Sequence, residues 1–220
     1  MRLDSVRDNQ GLRLDGVRIC LGGRVLVSLD AQVRRGETLT VMGPSGSGKS
    51  TLLAYLGGFL DPAFSAGGRV EVDGVELTAL PAERRRAGIL FQDPLLFPHL
   101  SVTDNIAIAI PEDVRGRKQR RALANAALED AGLAEFGDRD PDTLSGGQKA
   151  RVALQRVLVS QPRILLLDEP FSKLDADLRD QTRHLVFDRA RRAGLPVVLV
   201  THDEEDARAA GGQVHKVGQP

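Results

Sequence analysis

Gly43-Pro44-Ser45-Gly46-Ser47-Gly48-Lys49-Ser50, followed by Thr51, is the stretch whose reading decides the fold. It has the form G-x-x-x-x-G-K-[ST], the P-loop pattern that cradles phosphates. Its glycines tolerate left-handed torsions and carry no side chain, so successive backbone N–H groups can turn inward around an anion. The helix expected to start at Lys49 aims free N–H groups and its positive dipole end at the same anion. The Lys49 ammonium can reach the β- and γ-phosphates, and the Ser50 hydroxyl can ligate Mg2+. Residues 37–42, Glu-Thr-Leu-Thr-Val-Met, read as a short buried strand before the loop. Residues 50–56 read as a helix after it, closed by Gly57-Gly58. A glycine-rich turn matching by chance would not sit between a strand and a helix. The loop alone does not say which class of NTPase this is.

Composition bounds the rest. The chain has 220 residues, 41% hydrophobic and 27% charged, enough for one globular domain with a subdomain and against disorder. Lys+Arg and Asp+Glu both count 30, which argues against a protein defined by a basic nucleic-acid face. A single cysteine, Cys20, allows no disulfide within the chain and suits a reducing compartment. No apolar run approaches the roughly 20 residues that cross a bilayer, and Met1–Asp8 lacks the apolar stretch of a secretory signal. The expectation is a soluble, cytoplasmic protein whose membrane role would come through a partner.

Along the chain, residues 1–11 are polar and aperiodic and read as a flexible arm. Leu12, Leu14, Val17 and Ile19 fit one strand with a bulge or turn at Asp15-Gly16. Val25, Val27, Leu29, Ala31 and Val33 alternate in a second, and Gly22-Gly23 joins them as a hairpin. Residues 67–75 read as strand, Asp-Gly turn, strand. Together these predict a small antiparallel sheet. Residues 87–91 form a short apolar strand ending at Gln92. Ser101 reads as the N-cap of a helix through Val102, Ile106 and Ile110, stopped by Pro111. Residues 114–131 have helical spacing through Leu123, Ala127, Leu128 and Ala131. Arg115, Arg117, Lys118, Arg120 and Arg121 form a basic face there, read as solvated because Glu112, Asp113, Glu129 and Asp130 flank it. Another helix opens at residues 144–148. Residues 163–169 are a continuous apolar strand ending in Asp168-Glu169, as a parallel strand buried on both faces requires. A helix over about 175–193 leads to a second such strand, 196–202, tipped by Thr201-His202. Strands and helices alternate in a βαβ manner, which implies a parallel α/β core.

Ligands of open α/β sheets sit beyond the carboxyl ends of the strands. The polar strand ends here are the P-loop, Gln92, Asp168-Glu169 and Thr201-His202. On one sheet edge they would surround one phosphate. A lone strand-end Asp or His is usually structural; four such ends beside a P-loop weigh toward function.

With these residues in view, the chain resembles the nucleotide-binding subunit of an ATP-binding-cassette (ABC) transporter. The resemblance runs from about residue 12 to about 210 and rests on 43–51, Gln92, Leu144-Ser145-Gly146-Gly147-Gln148, 164–169, Ser172-Lys173-Leu174-Asp175 and His202, in that order. The five-residue Leu-Ser-Gly-Gly-Gln signature is its most specific part. The resemblance implies an ABC ATPase domain over 12–220. Its P-loop core would carry a mainly parallel sheet, with an antiparallel β subdomain and a helical subdomain over about 93–160 bearing the signature. It also implies roles. Residues 43–51 (Gly43, Pro44, Ser45, Gly46, Ser47, Gly48, Lys49, Ser50, Thr51) would hold the nucleotide, with Lys49 on the phosphates. Ser50, Gln92 and Asp168 would hold Mg2+, Glu169 would polarise the attacking water, and His202 would bridge the γ-phosphate and Glu169. Leu144–Gln148 would act in trans on ATP bound by a second cassette, with Ser145 and Gly147 on its γ-phosphate. Asp175 would lie on the loop facing that partner. Ser145 also reads as a plain helix N-cap, and both readings can hold.

The segment 91–102, Phe-Gln-Asp-Pro-Leu-Leu-Phe-Pro-His-Leu-Ser-Val, resembles bacterial importer subunits. The implied function is ATP hydrolysis by a dimer, or by a pair with a second ATPase subunit. It would power import through an integral membrane permease at the inner face of the cell membrane, with a solute-binding protein and without nucleic acid. Leu95, Leu96, Phe97 and Leu100 read equally as exposed permease anchors or as helical-core residues. An exporter or lipoprotein-release ATPase, or a non-transport ABC ATPase, is the alternative. The sequence ends at Pro220, so the C-terminal regulatory domain of some importer ATPases is expected to be absent.

Two departures stand out. Lys173 occupies a position where the family more often has a small or uncharged residue. The family also stacks adenine on an aromatic near the position of Cys20 and Leu21, whereas this chain has no aromatic between Met1 and Met42. Base–aromatic stacking is worth about 1–3 kcal/mol. Leu21→Tyr is therefore expected to tighten ATP binding by about that amount; an unchanged affinity by titration would remove this account.

Overall fold

A computed structural model describes residues 11–218. The arm expected over 1–11 thus lies outside the described residues except for Gly11. Two long strands come first, β1 (Leu12–Leu21) and β2 (Arg24–Val33), then β3 (Thr38–Met42) and α1 (Lys49–Gly57). The strands β4 (Phe64–Val72) and β5 (Val75–Glu76) lead to a single-turn α2 (Ala82–Arg85) and β6 (Ala87–Leu90). Three helices follow: α3 (Val102–Ala107), α4 (Arg117–Asp130) and α5 (Gly146–Val159). The chain closes with β7 (Ile164–Asp168), α6 (Ala176–Arg192), β8 (Val197–Thr201), α7 (Glu204–Ala210) and β9 (Gln213–Lys216). It divides into two compact units. One holds the residues up to Ile89, Arg163–Glu169 and those from Phe187 on; the other holds Leu90–Pro162 and Pro170–Val186. The second unit thus takes in the helical stretch expected over about 93–160 and adds Pro170–Val186.

The first unit has two sheets. The antiparallel one has the order β2-β1-β4-β5. Its β1 buries Leu12, Leu14, Val17 and Ile19, and the pairing with β2 shifts register between Leu14 and Val17. The Asp15-Gly16 bulge is what keeps both halves of the strand facing inward, since an uncorrected one-residue slip would reverse every side chain. The Asp73-Gly74 turn between β4 and β5 carries an anchor. Asp73 accepts the Gly11 N–H at 2.9 Å, and the Arg35 guanidinium donates to both its carboxylate oxygens at 3.0 and 2.8 Å. Burial alone would push the Asp73 carboxyl up, but the hydrogen bonds from Arg35 and Gly11 and the Arg35 charge hold it below its ordinary value.

The second sheet of this unit has the order β6-β7-β8-β3-β9, with β3 parallel to β8 and β9 and β7 parallel to β8. Leu39, Val41, Ile164–Leu167 and Val197–Val200 are all buried, as continuous apolar runs in a parallel sheet predict. Because the strands are parallel and in register, Met42 pairs with Thr201 and Asp168 with Val200. The carboxyl ends of β3, β7 and β8 therefore reach one edge together. Behind that edge, α1 buries Leu52, Leu53 and Leu56 against the sheet. Its C-terminal carbonyls are closed by Arg85, which is only 9% exposed. Arg85 donates to Tyr55 O at 2.6 Å, Leu56 O at 3.1 Å and Leu80 O at 2.9 Å.

The second unit packs α3, α4 and the start of α5 around Val102, Ile106, Leu128, Leu144 and Val152. Ser101 caps α3 by accepting the Asp104 N–H. Three expectations need correction. The first helix of the unit stops at Ala107 rather than running through Ile110, because the last turn tightens into i→i+3 bonds, Ala109 N–H to Ile106 O and Ile110 N–H to Ala107 O, and Arg120 gathers the carbonyls around this end. Its guanidinium donates to Ala107 O, Ile110 O, Pro111 O and Val114 O at 2.6–3.2 Å. Arg120 is thus an anchor and not part of a solvated basic face. Leu123, expected on the apolar side of α4, is 44% exposed. The inward stripe is Ala124, Ala127, Leu128 and Ala131, and Leu123 lies one position off it.

Arg85→Ala would take a donor from the Tyr55, Leu56 and Leu80 carbonyls in a buried setting, where Tyr55 O would keep the Gly58 N–H at 3.2 Å as a partner. Leaving buried acceptors unpaired costs about 1–3 kcal/mol each in full, and partial rehydration makes a total loss of about 2–3 kcal/mol the expected outcome. Chemical denaturation of the two chains measures it.

Candidate active site

The chemistry assembles at the carboxyl edge of the parallel sheet, starting from Gly48. This residue is the N-cap of α1, with φ 91°, and no side chain caps the helix. A Cβ here would lie 3.0 Å from Leu26 Cβ and 3.1 Å from Val27 Cγ2, so left-handed torsion and close packing both call for glycine. The first turn of α1 holds no acidic residue. The N–H groups and positive pole of the helix are therefore left for an anion. Lys49 is 5% exposed, and its ammonium donates back to Gly43 O at 2.8 Å and Pro44 O at 3.0 Å. The loop carbonyls thus hold the cation in place beside the site.

Ser50 reaches across to the end of β7, where its hydroxyl donates to Asp168 Oδ1 at 3.0 Å. Burial pushes the Asp168 carboxyl above its ordinary value. The Ser50 hydrogen bond opposes this, the Glu169 charge adds to it, and the Lys49 charge opposes it. The next residue, Glu169, has φ 46°, and its N–H donates to Val200 O at 2.9 Å. A left-handed backbone at a non-glycine residue costs about 1–2 kcal/mol. Here the strand partner imposes it, and it turns the carboxylate away from the path that an extended strand would give it. Glu169 Oε2 lies 3.1 Å from His202 Nδ1.

His202 follows β8 directly. The Thr201 hydroxyl donates to the buried Asp206 Oδ2 at 2.7 Å and accepts the Asp203 N–H at 3.0 Å. These bonds fix the turn that carries the imidazole. Asp206 was not singled out by sequence, since Glu204, Glu205 and Asp206 together read as ordinary acidic residues in a first helical turn. Ser50 and Asp168 supply a hydroxyl and a carboxylate, hard oxygen donors that suit Mg2+ completed by phosphate oxygens and water. No group of three or more His, Cys, Asp or Glu side chains that could cage a metal occurs among the described residues.

The remaining predicted residues belong to the helical unit. Gln92 lies exposed in irregular backbone after β6. Ser145 is the N-cap of α5 in a reciprocal capping box: it accepts the Gln148 N–H at 3.3 Å, and Gln148 Oε1 accepts the Ser145 N–H at 2.9 Å. Leu144 is buried in the helical core. Within the signature, Leu144 therefore anchors, and Ser145 and Gln148 cap each other across the helix start. Gly147 has no room for a side chain, because a Cβ would lie 2.3 Å from Leu178 Cδ1. Asp175 is exposed and caps α6, accepting the Leu178 N–H at 3.0 Å. The structure brings Lys49, Ser50, Asp168, Glu169 and His202 together within the first unit; Gln92, 144–148 and Asp175 are arranged within the second.

Comparison with known proteins agrees with this arrangement. The sequence model of the ABC transporter family matches residues 26–172. The chain belongs to the ABC transporter family. It is 48% identical over 186 residues to the uncharacterized ABC transporter ATP-binding protein YnjD of Escherichia coli (strain K12), covering 84% of this chain and 85% of that one. It is 40% identical over 208 residues to the spermidine/putrescine import ATP-binding protein PotA of Oleidesulfovibrio alaskensis, covering 89% of this chain and 54% of that one. It thus spans about half the length of that polyamine relative. Among solved structures, the dimeric post-hydrolysis state of the ATP-binding cassette MJ0796 bound to ADP and Pi matches with a TM-score of 0.75 and 31% identity, covering 94% of each chain. The present chain is an ATPase of that family. No helix among its described residues is long and apolar enough to cross a membrane.

The raised Asp168 carboxyl makes a stability prediction. A group that binds its proton more tightly when folded loses native stability as pH rises from its unfolded value, near 3.8, through the raised native one. Above that window Asp168 therefore contributes less to the stability of the ligand-free chain than it does at low pH. Asp168→Asn is expected to raise the ligand-free thermal midpoint at neutral pH and to remove the further rise caused by Mg-ATP. A midpoint at or below wild type would argue against burial as the governing influence.

Proposed function

We propose that this chain hydrolyses ATP to power solute import through a separate membrane permease, acting as a homodimer or paired with a second ATPase subunit. The observation that carries the reading is the Ser50–Asp168 and Glu169–His202 pairing beside an uncapped P-loop helix. Phosphoryl transfer asks the protein mainly for positioning and charge stabilisation. The α1 N–H groups bind the phosphates. The Lys49 ammonium exchanges its loop carbonyls for phosphate oxygens and neutralises charge where it develops. Ser50 and Asp168 would hold Mg2+, with Gln92 as the further ligand that the family resemblance implies, and the ion would supply charge neutralisation when bound. Glu169 accepts a hydrogen bond from the attacking water and orients it. His202 holds the Glu169 carboxylate and places its other ring nitrogen toward the γ-phosphate. In the second cassette, the N–H groups of Ser145, Gly146 and Gly147 close over that phosphate, and Asp175 lies on the same dimer face.

The names of the import relatives favour import. The residues after Gln92 support a permease-facing surface. Leu95 and Phe97 are 58% and 41% exposed. They are held outward by Arg156, which donates to Pro94 O and Leu95 O and stacks over the Phe97 ring. Asn105 is fully buried and exchanges hydrogen bonds with the Phe97 N–H and C=O. Leu96, by contrast, packs on the helical core, and Leu100 is half-buried. Of the four residues open to either reading, Leu95 and Phe97 fit the anchor role. The permease would hold the chain at the inner face of the membrane and work with a solute-binding protein.

Glu169→Gln keeps the shape and removes the carboxylate charge. General acid–base help is worth about 10²–10⁴ in rate, so steady-state hydrolysis should fall by at least that lower figure. ATP binding should persist and trap a dimer visible by size-exclusion chromatography. A monomer at saturating Mg-ATP would sink the two-cassette arrangement.

A further inference from the structure

Lys173 and Asp93 are 80 residues apart in sequence, yet the Lys173 ammonium donates to Asp93 Oδ1 at 2.5 Å. We propose that Lys173 is a positioning residue for Gln92, holding its segment through this ion pair to the turn that leads into Asp175. The proposal rests on the reading that Gln92 serves the catalytic machinery.

Three observations carry it. The first is the anchor. The turn holding Lys173 is fixed by Phe171, which is fully buried, and by the Leu174 N–H donating to Phe171 O at 3.1 Å. Lys173 is therefore held by a turn that is anchored in the core. The second is the floor. Beneath the pair lies an apolar cavity of about 200 Å³, lined by Leu90, Phe91, Ala153, Phe171, Leu174 and Val186, with Asp93 and Lys173 at its rim. A segment bordering an open cavity has fewer of the contacts that normally fix backbone in place, so its polar fastenings matter more. The third is spacing. Arg156 pins the carbonyls of Pro94 and Leu95, and β6 ends at Leu90. Among the described residues, Lys173 gives the side-chain tether for the span from Phe91 to Asp93, with Gln92 at its middle.

The pair is half exposed, 52% for Lys173 and 59% for Asp93. Exposed ion pairs are weak, and one of this kind shifts a local equilibrium by at most about fivefold. That sets the expected size of the effect. In the full chain, Lys173→Ala should lower kcat about two- to fivefold while leaving KM for ATP unchanged, since the P-loop is untouched. High salt should bring wild type down to the variant, because screening shortens to about 3 Å at 1 M. The charge swap Lys173→Asp with Asp93→Lys should restore kcat.

A second measurement is independent of turnover. Amide hydrogen exchange over residues 91–95 of the nucleotide-free chain should quicken in Lys173→Ala and in Asp93→Asn, and slow again in the swap. Unchanged exchange would overturn the tether. Quickened exchange with unchanged kcat, in a chain where Gln92→Ala still lowers kcat, would overturn the positioning role alone. If Gln92→Ala itself leaves hydrolysis unchanged, the catalytic reading of Gln92 fails and the proposal with it.

Discussion

Gly48 begins α1 with a backbone that an L side chain rarely adopts, in a space that Leu26 and Val27 leave too small for one. The helix that follows has no cap and no acid in its first turn. A helix end without partners is normally costly and is satisfied by a side chain. Here it is left for a ligand, and the neighbouring residues are arranged around that requirement. Lys49 parks on two carbonyls, Ser50 on Asp168, and both are bonds that an arriving phosphate and cation can replace. The parallel register of β3, β7 and β8 exists, in functional terms, to deliver Asp168, Glu169 and His202 to the same edge as this open helix.

Most of the architecture was legible because it depends on local chemistry. Apolar runs at 164–168 and 197–200 became buried parallel strands, and the alternation in 12–21 became an antiparallel one, bulge included. The P-loop, the two carboxylates and the histidine were found as strand-end polar residues, and their convergence follows from strand direction alone. The N-cap role of Ser145 was also readable from its place just before the helix.

What escaped the sequence are side chains whose meaning lies in distant backbone. Arg120 and Arg85 look like surface cations until the carbonyls they gather are known. Arg156 and Asn105 read as ordinary helical residues, yet between them they set how Leu95 and Phe97 are shown. The Thr201–Asp206 bond hides in an acidic helix start. Periodicity could not decide between anchor and core for Leu95 through Leu100, because the segment is irregular and its residues alternate in burial without a regular period. Lys173 was visible as odd, but its partner lies 80 residues away.

Arg85 has a consequence for charge as well as for strength. A helix is electrically two-ended, with about half a positive charge at the start and half a negative charge at the finish. In a helix as short as the nine residues of α1, the two poles are only about 13 Å apart, so the rear one subtracts from the field at the front. The Arg85 guanidinium sits on the rear carbonyls and cancels that subtraction. What faces the loop is then closer to a lone positive pole than to one end of a dipole. A residue with no place in the active site thereby strengthens the positive field that the helix start offers to an anion.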